Sequence, residues 1–132
     1  MIEQGIHDIL ADLADTYPVH LPEGFPRPCI TYRRISSVRR MSHDGPVGLV
    51  SSRFQITIHA SDHLEAVRLA DRVRVRLDGR VDLPTAIKVS LVEIVNELDL
   101  GFSTEADSWQ IATDAIVHHG EELGNGSDTD NS

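Results

Sequence analysis

The apolar positions of this chain recur with two different periods, which alternate along the sequence. A stripe with the spacing of an amphipathic helix predicts a first helix over residues 2–15. A second helix is predicted to begin at Asp62, which has a glutamate three residues later in the spacing of a capping box, and to end at Gly79. Five apolar residues are expected to form its buried stripe: Ala66, Leu69, Ala70, Val73 and Leu77.

Four segments have the alternation or the β-branched composition of strands: residues 29–37, 53–60, 87–100 and 109–118. Near Leu91 and Val92 the apolar positions switch from odd to even numbers, which predicts a β-bulge. Prolines and glycines between positions 18 and 28 predict an extended connector, and residues 42–46 have the composition of a turn.

The order helix, strand, strand, helix, strand, strand predicts an α+β fold. We expect a four-stranded, mainly antiparallel sheet with both helices packed on one face. A chain of 132 residues is long enough to form one core without disulfides. Residues 1–120 are predicted to form a single domain. Residues 121–132, which are acidic and rich in glycine and serine, are predicted to form a disordered tail.

Charge is unevenly distributed along the chain, whose net charge is −9. The first 23 residues carry five acids and no base, whereas residues 24–43 carry five arginines and no acid. An acidic protein does not bind DNA through bulk attraction, but separated basic and acidic regions favour contacts with other copies or with a complementary partner. The chain also has no apolar run of the ~20 residues that would cross a bilayer. The acidic first segment lacks the pattern of a secretory leader, so we expect no membrane partner.

Arginines in two parts of the chain predict interaction surfaces. Arg68, Arg72 and Arg76 follow one another at intervals of four on the second predicted helix, beside apolar residues that project away from its buried stripe. A second basic cluster lies in and after the first predicted strand. We therefore predict that a subunit or partner interface is formed by nine residues: Arg33, Arg34, Arg39, Arg40, Leu64, Arg68, Arg72, Val75 and Arg76. The alternative is a solvated helix face whose arginines pair with acids of the same helix.

No catalytic, metal or cofactor site is predicted. Cys29 follows a proline in a strand-like segment, where a free cysteine is usually a small buried hydrophobe. His118 and His119 are neighbours on a predicted strand, so their side chains should point to opposite faces and chelate poorly. The chain contains no glycine-rich phosphate loop and no nucleophile elbow. We therefore expect a protein that is not an enzyme; catalysis by Cys29 or by the histidines is the least favoured alternative.

A series of short patterns resembles a known family in its order and spacing. Residues 28–35 have the pattern P-x-I-x-Y-x-x-I, and the sequence Asp-Gly-Pro-Val-Gly-Leu follows at residues 44–49. The alternating strand at residues 53–60 then leads into the helix that ends in Leu-Asp-Gly at Gly79. Over roughly residues 2–119, the chain resembles the tail-completion, or tail-terminator, proteins of long-tailed bacteriophages and gene-transfer particles.

The resemblance implies a structural virion protein of the tail or neck, assembled in the host cytoplasm, without a cofactor. Proteins of this family form a homo-oligomeric ring, usually a hexamer, on the head-proximal end of the tail tube. The ring ends tail growth and joins the tail to the head. The implied partners are the major tail-tube protein and a neck, connector or stopper protein. Genome DNA passes through the ring's channel without sequence-specific binding.

Two other functions remain open at this point. The first is a neck stopper or head-completion protein, which occupies a neighbouring position in such particles. The second, of a different class, is a small nucleic-acid-binding module that uses residues 27–40. Few aromatic residues are interleaved with these arginines, whereas proteins that bind single strands usually stack bases on aromatic side chains.

Overall fold

The computed structural model describes residues 1–19, 24–42 and 45–121, with the side chains of residues 41, 42 and 45–47 excepted. Most of the predicted tail, residues 122–132, and the centre of the predicted turn, residues 43–44, lie outside the described residues. The described chain forms two helices and five strands: α1 (Ile2–Ala11), β1 (Asp15–Pro18), β2 (Cys29–Ser42), β3 (Gly45–Ala60), α2 (His63–Leu77), β4 (Val89–Ser103) and β5 (Ser108–Gly120).

The strands form one mixed sheet in the order β1-β2-β3-β5-β4. β1 is parallel to β2, and every other neighbouring pair is antiparallel. The α+β class is confirmed, but the expectation of four strands is wrong because β1 adds a fifth. β1 has only four residues and ends in a proline, so its sequence carries no alternation; its pairing with the start of β2 creates the strand.

The first helix is also shorter than predicted, since α1 ends at Ala11 rather than at residue 15. Leu13 and Ala14 pack against the core from outside the helix. Their apolar character extends the helical pattern in the sequence beyond the point where the backbone leaves the helix.

β2 and β3 extend well beyond the segments that alternation predicts. β2 continues to Ser42, and β3 begins at Gly45. Residues 38–40, whose side chains are the described ones of the added part of β2, are all exposed, so this part of the strand shows no alternation of buried and exposed residues. Backbone pairing holds the extension, because β3 pairs with β2 on one side and with β5 on the other as far as Leu49.

The bulge predicted in residues 87–100 is confirmed in β4, one or two residues earlier than expected. The register of β4 against β5 shifts between Val89 and Leu91, and it shifts twice more further along β4. The bulge explains why Val89 and Val92 are both buried although their positions differ in parity.

The core lies between the sheet and the two helices. α2 buries the five residues of its predicted stripe, and the alternating apolar residues of β3 are completely buried beneath them. Asp62 caps the start of α2, as predicted: its carboxylate accepts the backbone N–H of Glu65 at 2.9 Å. The Glu65 carboxylate accepts the N–H of Ser61 at 3.1 Å, one residue earlier than in the usual capping box. The opposite face of the sheet carries no helix within the described residues.

Candidate functional site

The outer surface of α2 carries five of the nine predicted interface residues, four of them in exposed positions. Leu64 and Val75 are 56% and 71% exposed. Arg68 and Arg72 are exposed as well and have no ion-pair partner among the described residues. An exposed guanidinium beside an exposed apolar side chain is suited to contact an acidic surface with an apolar patch.

Arg76 differs from the two preceding arginines because it contacts the first helix. Its guanidinium lies 3.6 Å from the Asp12 carboxylate and donates to the backbone carbonyl of Ile9 at 3.4 Å. Arg76 therefore helps to fasten the end of α1 to α2, and only part of its charge remains available to a partner.

Two adjoining hollows lie along α2, and we refer to them together as the α2 groove. One, of about 360 Å³, lies between Leu13 and Pro28 on one side and Arg68 on the other. The second, of about 460 Å³, lies between Leu13 and Val75. Leu13 and Arg72 line both hollows. Arginines and acids both contribute to the lining, so the groove combines apolar side chains with charges of both signs: Arg68, Arg72 and Arg76 with Asp62, Glu65 and Asp71.

The arginines of β2 have less uniform surroundings than their sequence suggests. Arg34 is only 21% exposed; it donates to the Glu3 carboxylate at 2.7 Å and lies over the Phe54 ring, 5.4 Å from its centroid. Arg39 pairs with Glu121 at 2.6 Å. Arg33 and Arg40 are exposed, and no described residue pairs with either. Arg34 is thus mainly a structural residue.

The nine predicted residues do not form one continuous site. α2 and β2 make no direct contact within the described part of the chain, so their arginines form two separate basic surfaces. The surface on β2 lies along an edge of the sheet, beyond the point where β1 ends.

Sequence analysis missed a third surface, at the opposite edge of the sheet. Beyond its second register shift, β4 exposes four large apolar side chains: Val95, Leu98, Leu100 and Phe102. Glu97 is exposed among them and has no partner among the described residues. The irregular parity of this segment was the available signal, since apolar residues that point to both faces cannot all reach one core.

A serine, a histidine and a glutamate meet on the helix-free face of the sheet. The Ser51 hydroxyl lies 2.8 Å from His118 Nδ1, and His118 Nε2 lies 2.6 Å from the Glu93 carboxylate. This order of groups resembles that of a catalytic triad. Ser51, however, lies inside β3 between two neighbouring strands, where the backbone N–H groups around it are used by the sheet and cannot form an oxyanion hole. The three side chains therefore connect strands.

The other titratable side chains singled out by sequence, those of Cys29 and His119, are buried. Burial raises the pKa of Cys29 to about 12, so its thiol stays protonated at neutral pH. His118 and His119 point to opposite faces as expected, and buried His119 accepts the Ser52 hydroxyl through Nε2 at 2.7 Å. Among the described residues, no three histidine, cysteine or acidic side chains are grouped to hold a metal. In the same part of the chain, no helix is long and apolar enough to span a membrane.

The fold and its surfaces define an α+β protein with one mixed sheet, a helical layer on one face and three exposed surfaces. No protein-family model and no curated protein matches the sequence. The fold is similar to that of a chain in the solved structure of the virion of a native gene transfer agent (GTA) particle, with a TM-score of 0.67 and 13% sequence identity. The match covers 90% of this chain and 92% of that chain. At this identity, the similarity establishes a shared fold.

Proposed function

We propose that this chain is a structural protein of a phage-like particle, and that it acts there as the tail terminator. In this role it forms a ring on the head-proximal end of the tail tube, ends tail growth and joins the tail to the neck. The observation that carries the proposal is the fold shared with a chain of a GTA virion over 90% of this chain and 92% of the other. The family patterns in the sequence point to the same class of particle.

The distribution of charge supports an assembly role. The basic surface on the edge of β2 lies at the opposite side of the sheet from the acidic and apolar edge of β4. The basic surface of α2 lies nearer to β4, since His63 bonds to Asp99 at 2.6 Å. Surfaces of opposite charge on one molecule suit head-to-tail contacts, in which one patch meets a different patch on the next copy. The ring is expected to contact the tail-tube protein on one side and a neck or stopper protein on the other.

The same observations weaken the hypothesis of a nucleic-acid module on residues 27–40. Arg34 and Arg39 are occupied by Glu3 and Glu121, which leaves fewer free cations for phosphates than the sequence suggests. Arg27 lies near Asp107, at 3.5 Å. Binding to nucleic acid depends on several phosphates being neutralised together.

The test is to delete the gene in a strain that produces the particles and to image the products by electron microscopy. A tail terminator predicts intact heads, unattached tails and tubes of uncontrolled length, with normal particles restored by the unaltered gene. Tails of normal length beside heads that have lost their DNA would instead indicate a neck stopper. Complete particles in the deletion strain would exclude both roles and favour a function outside the virion.

A further inference from the structure

The outer edge of β2 is an unpaired strand edge over most of its length. β1 pairs only with Cys29–Tyr32, and beyond that point no described strand lies beside β2 on this side. We refer to residues 33–42 as the β2 edge. It exposes Arg33, Arg40 and Val38, the last of which is 67% exposed.

The outer edge of β4 is unpaired at the other side of the same sheet. The segment after α2 contacts it near its start, where Gly79 and Arg80 bond to Val92. From Val95 to Ser103 no described backbone pairs with it, and we refer to residues 95–103 as the β4 edge. Its exposed apolar side chains surround Glu97, and Leu98 is 53% exposed.

A long, exposed and apolar strand edge is normally covered or blunted, because it can pair with another chain. Both edges here have two bulges with the same spacing. The register shifts leave Ile35 and Arg40 unpaired in β2, and Val95 and Leu100 unpaired in β4. Four regular residues lie between the bulges on each edge, namely residues 36–39 and residues 96–99.

We infer that copies of this chain join edge to edge, with the β2 edge of one copy paired to the β4 edge of the next. The charges of the two edges are complementary, since the first is basic and the second carries Glu97, which is exposed. The neighbouring Asp99 is already bonded within the chain, to His63 at 2.6 Å and to the N–H of Gly101 at 2.9 Å. Pairing two β2 edges, or two β4 edges, would place like charges opposite each other, which destabilises a strand pair. The contact is therefore head-to-tail and uses different patches on the two copies.

The side chains that would meet across this contact also match in polarity. Val38 pairs with Ser51 and Leu98 with Ala112, so both apolar side chains lie on the helix-free face of the sheet. Arg39 and Glu97 lie on the opposite, helical face, as their partners Val50 and Thr113 show. Within its own chain Arg39 pairs with Glu121, but its side chain is still 58% exposed, so at the junction it would exchange this surface pair for Glu97. An edge-to-edge junction keeps the two faces continuous, so apolar meets apolar on one face and opposite charges meet on the other.

This edge-to-edge contact would join neighbouring subunits of the ring. That the joined copies close into a ring rests on the proposed function. The contact predicts which residues approach each other between copies. Oxidation of the double variant Val38→Cys with Leu98→Cys should therefore give a ladder of disulfide-linked oligomers larger than dimers. Buried Cys29 does not interfere.

The control is the double variant Val38→Cys with Val81→Cys, because Val81 is about as exposed as Val38, at 65% against 67%, and lies outside the two edges and the α2 groove. Both double variants are oxidised as purified full-length chains at high concentration, and again inside particles. An equal ladder in the control would show random collision and overturn the inference. The inference is also overturned if the first variant gives a ladder neither as the purified chain nor inside particles.

Charge reversal tests whether opposite charges meet across the contact. In the Val38→Cys, Leu98→Cys background, Arg39→Glu or Glu97→Arg should each lower the yield of oligomers about threefold, the size expected for an exposed ion pair. Combining the two reversals should restore it. Loss without restoration would contradict the pairing. A ladder from the purified chain would support the contact. If the chain itself were then absent from purified particles, the contact would stand and the proposed function would be rejected.

Discussion

His59 shows at the scale of one residue how the helix-free face is stabilised. Its ring is 5% exposed and is bonded on both nitrogens: Gln110 donates to Nδ1 at 3.2 Å, and Nε2–H donates to the Thr31 hydroxyl at 3.1 Å. The Phe25 ring lies 6.0 Å away, edge to face. Burial lowers the pKa of His59 to about 4, so the ring is neutral in the folded protein at neutral pH.

Lowering the pH should destabilise the protein through His59. The unfolded histidine titrates near its ordinary pKa of 6.5. Below that pH the unfolded chain binds a proton at His59 and the folded chain does not, so protonation favours the unfolded state. Stability should fall as the pH drops from about 6.5 towards 4, by at most about 3 kcal/mol from this residue. Urea unfolding across this range measures the effect, and His59→Gln should flatten the slope. An unchanged slope in that variant would assign the effect to another group.

The Cys29 thiol should be unreactive in the folded protein. It is completely buried and its pKa is raised to about 12, chiefly by burial, so the thiolate that reacts with disulfide reagents is scarce. Labelling is expected to be slow in buffer and complete in denaturant. Cys29→Ala should leave particle assembly intact. Rapid labelling of the folded chain, or loss of function in the alanine variant, would reopen the question of a reactive cysteine.

At this scale the sequence predicts burial better than it predicts bonding. Leu69 and Phe54 are buried as their spacing requires, because the spacing of buried residues depends only on the helix or strand in which they lie. The partners of Arg34 and Arg76 could not be predicted, since Glu3 and Asp12 reach them only when α1 is placed against the sheet and α2. With Arg39, which pairs with Glu121, three of the nine predicted interface residues have ion-pair partners inside the chain.

At the scale of elements, α2 offers the most direct test of the predicted interface. Replacing Arg68 and Arg72 together with glutamate makes the lining of the α2 groove strongly acidic without touching a buried residue. The monomer should keep its thermal midpoint, while the yield of complete particles should fall by an order of magnitude or more, because like charges across an interface are strongly unfavourable.

A matched control for this prediction is Arg74→Glu, on the same helix. Arg74 is exposed and makes only a weak contact with Asp71 at 3.6 Å, so its reversal changes the net charge without entering the groove. Particle yield should stay near that of the unaltered protein. Equal loss in the control would indicate a general effect of charge, and normal yield in the double variant would remove the groove from the interface.

The elements that could be predicted from the sequence depend on local periodicity, whereas the others depend on pairing with neighbouring strands. The two helices and the buried half of β3 follow from local periodicity. β1 and the extensions of β2 and β3 are held by pairing with neighbouring strands, and their mixed composition, interrupted by glycine, proline and arginine, gives no clear periodic signal. The β4 edge was overlooked for a related reason: its apolar residues were assigned to a core that the bulges turn them away from.

At the scale of the whole molecule, the α+β class followed from the order of elements, but the sheet order did not. Placing β5 between β3 and β4 leaves β4 at an edge, and this topology is what exposes acidic Glu97 opposite the basic β2 edge. The sequence predicted that basic and acidic regions would be separated, and only the topology shows which strands carry them.

Removal of residues 122–132 should leave the fold intact. The described core is complete without them, and Glu121, which pairs with Arg39, is retained. The thermal midpoint of the shortened chain is expected to stay within a few degrees of the full-length value, as a polar segment that buries no apolar surface contributes little to stability. A drop of many degrees, measured by circular dichroism, would show that the segment packs on the domain.

The length of the strand ladders has a mechanical consequence. The ladders β2–β3, β3–β5 and β4–β5 each contain twelve paired positions, and their hydrogen bonds run perpendicular to the strands. A force along the strands loads many of these bonds in shear at once, whereas a force across the sheet opens them one after another. The molecule should therefore resist tension best along its strands, and a joint built from it would be strongest when the strands follow the direction of pull.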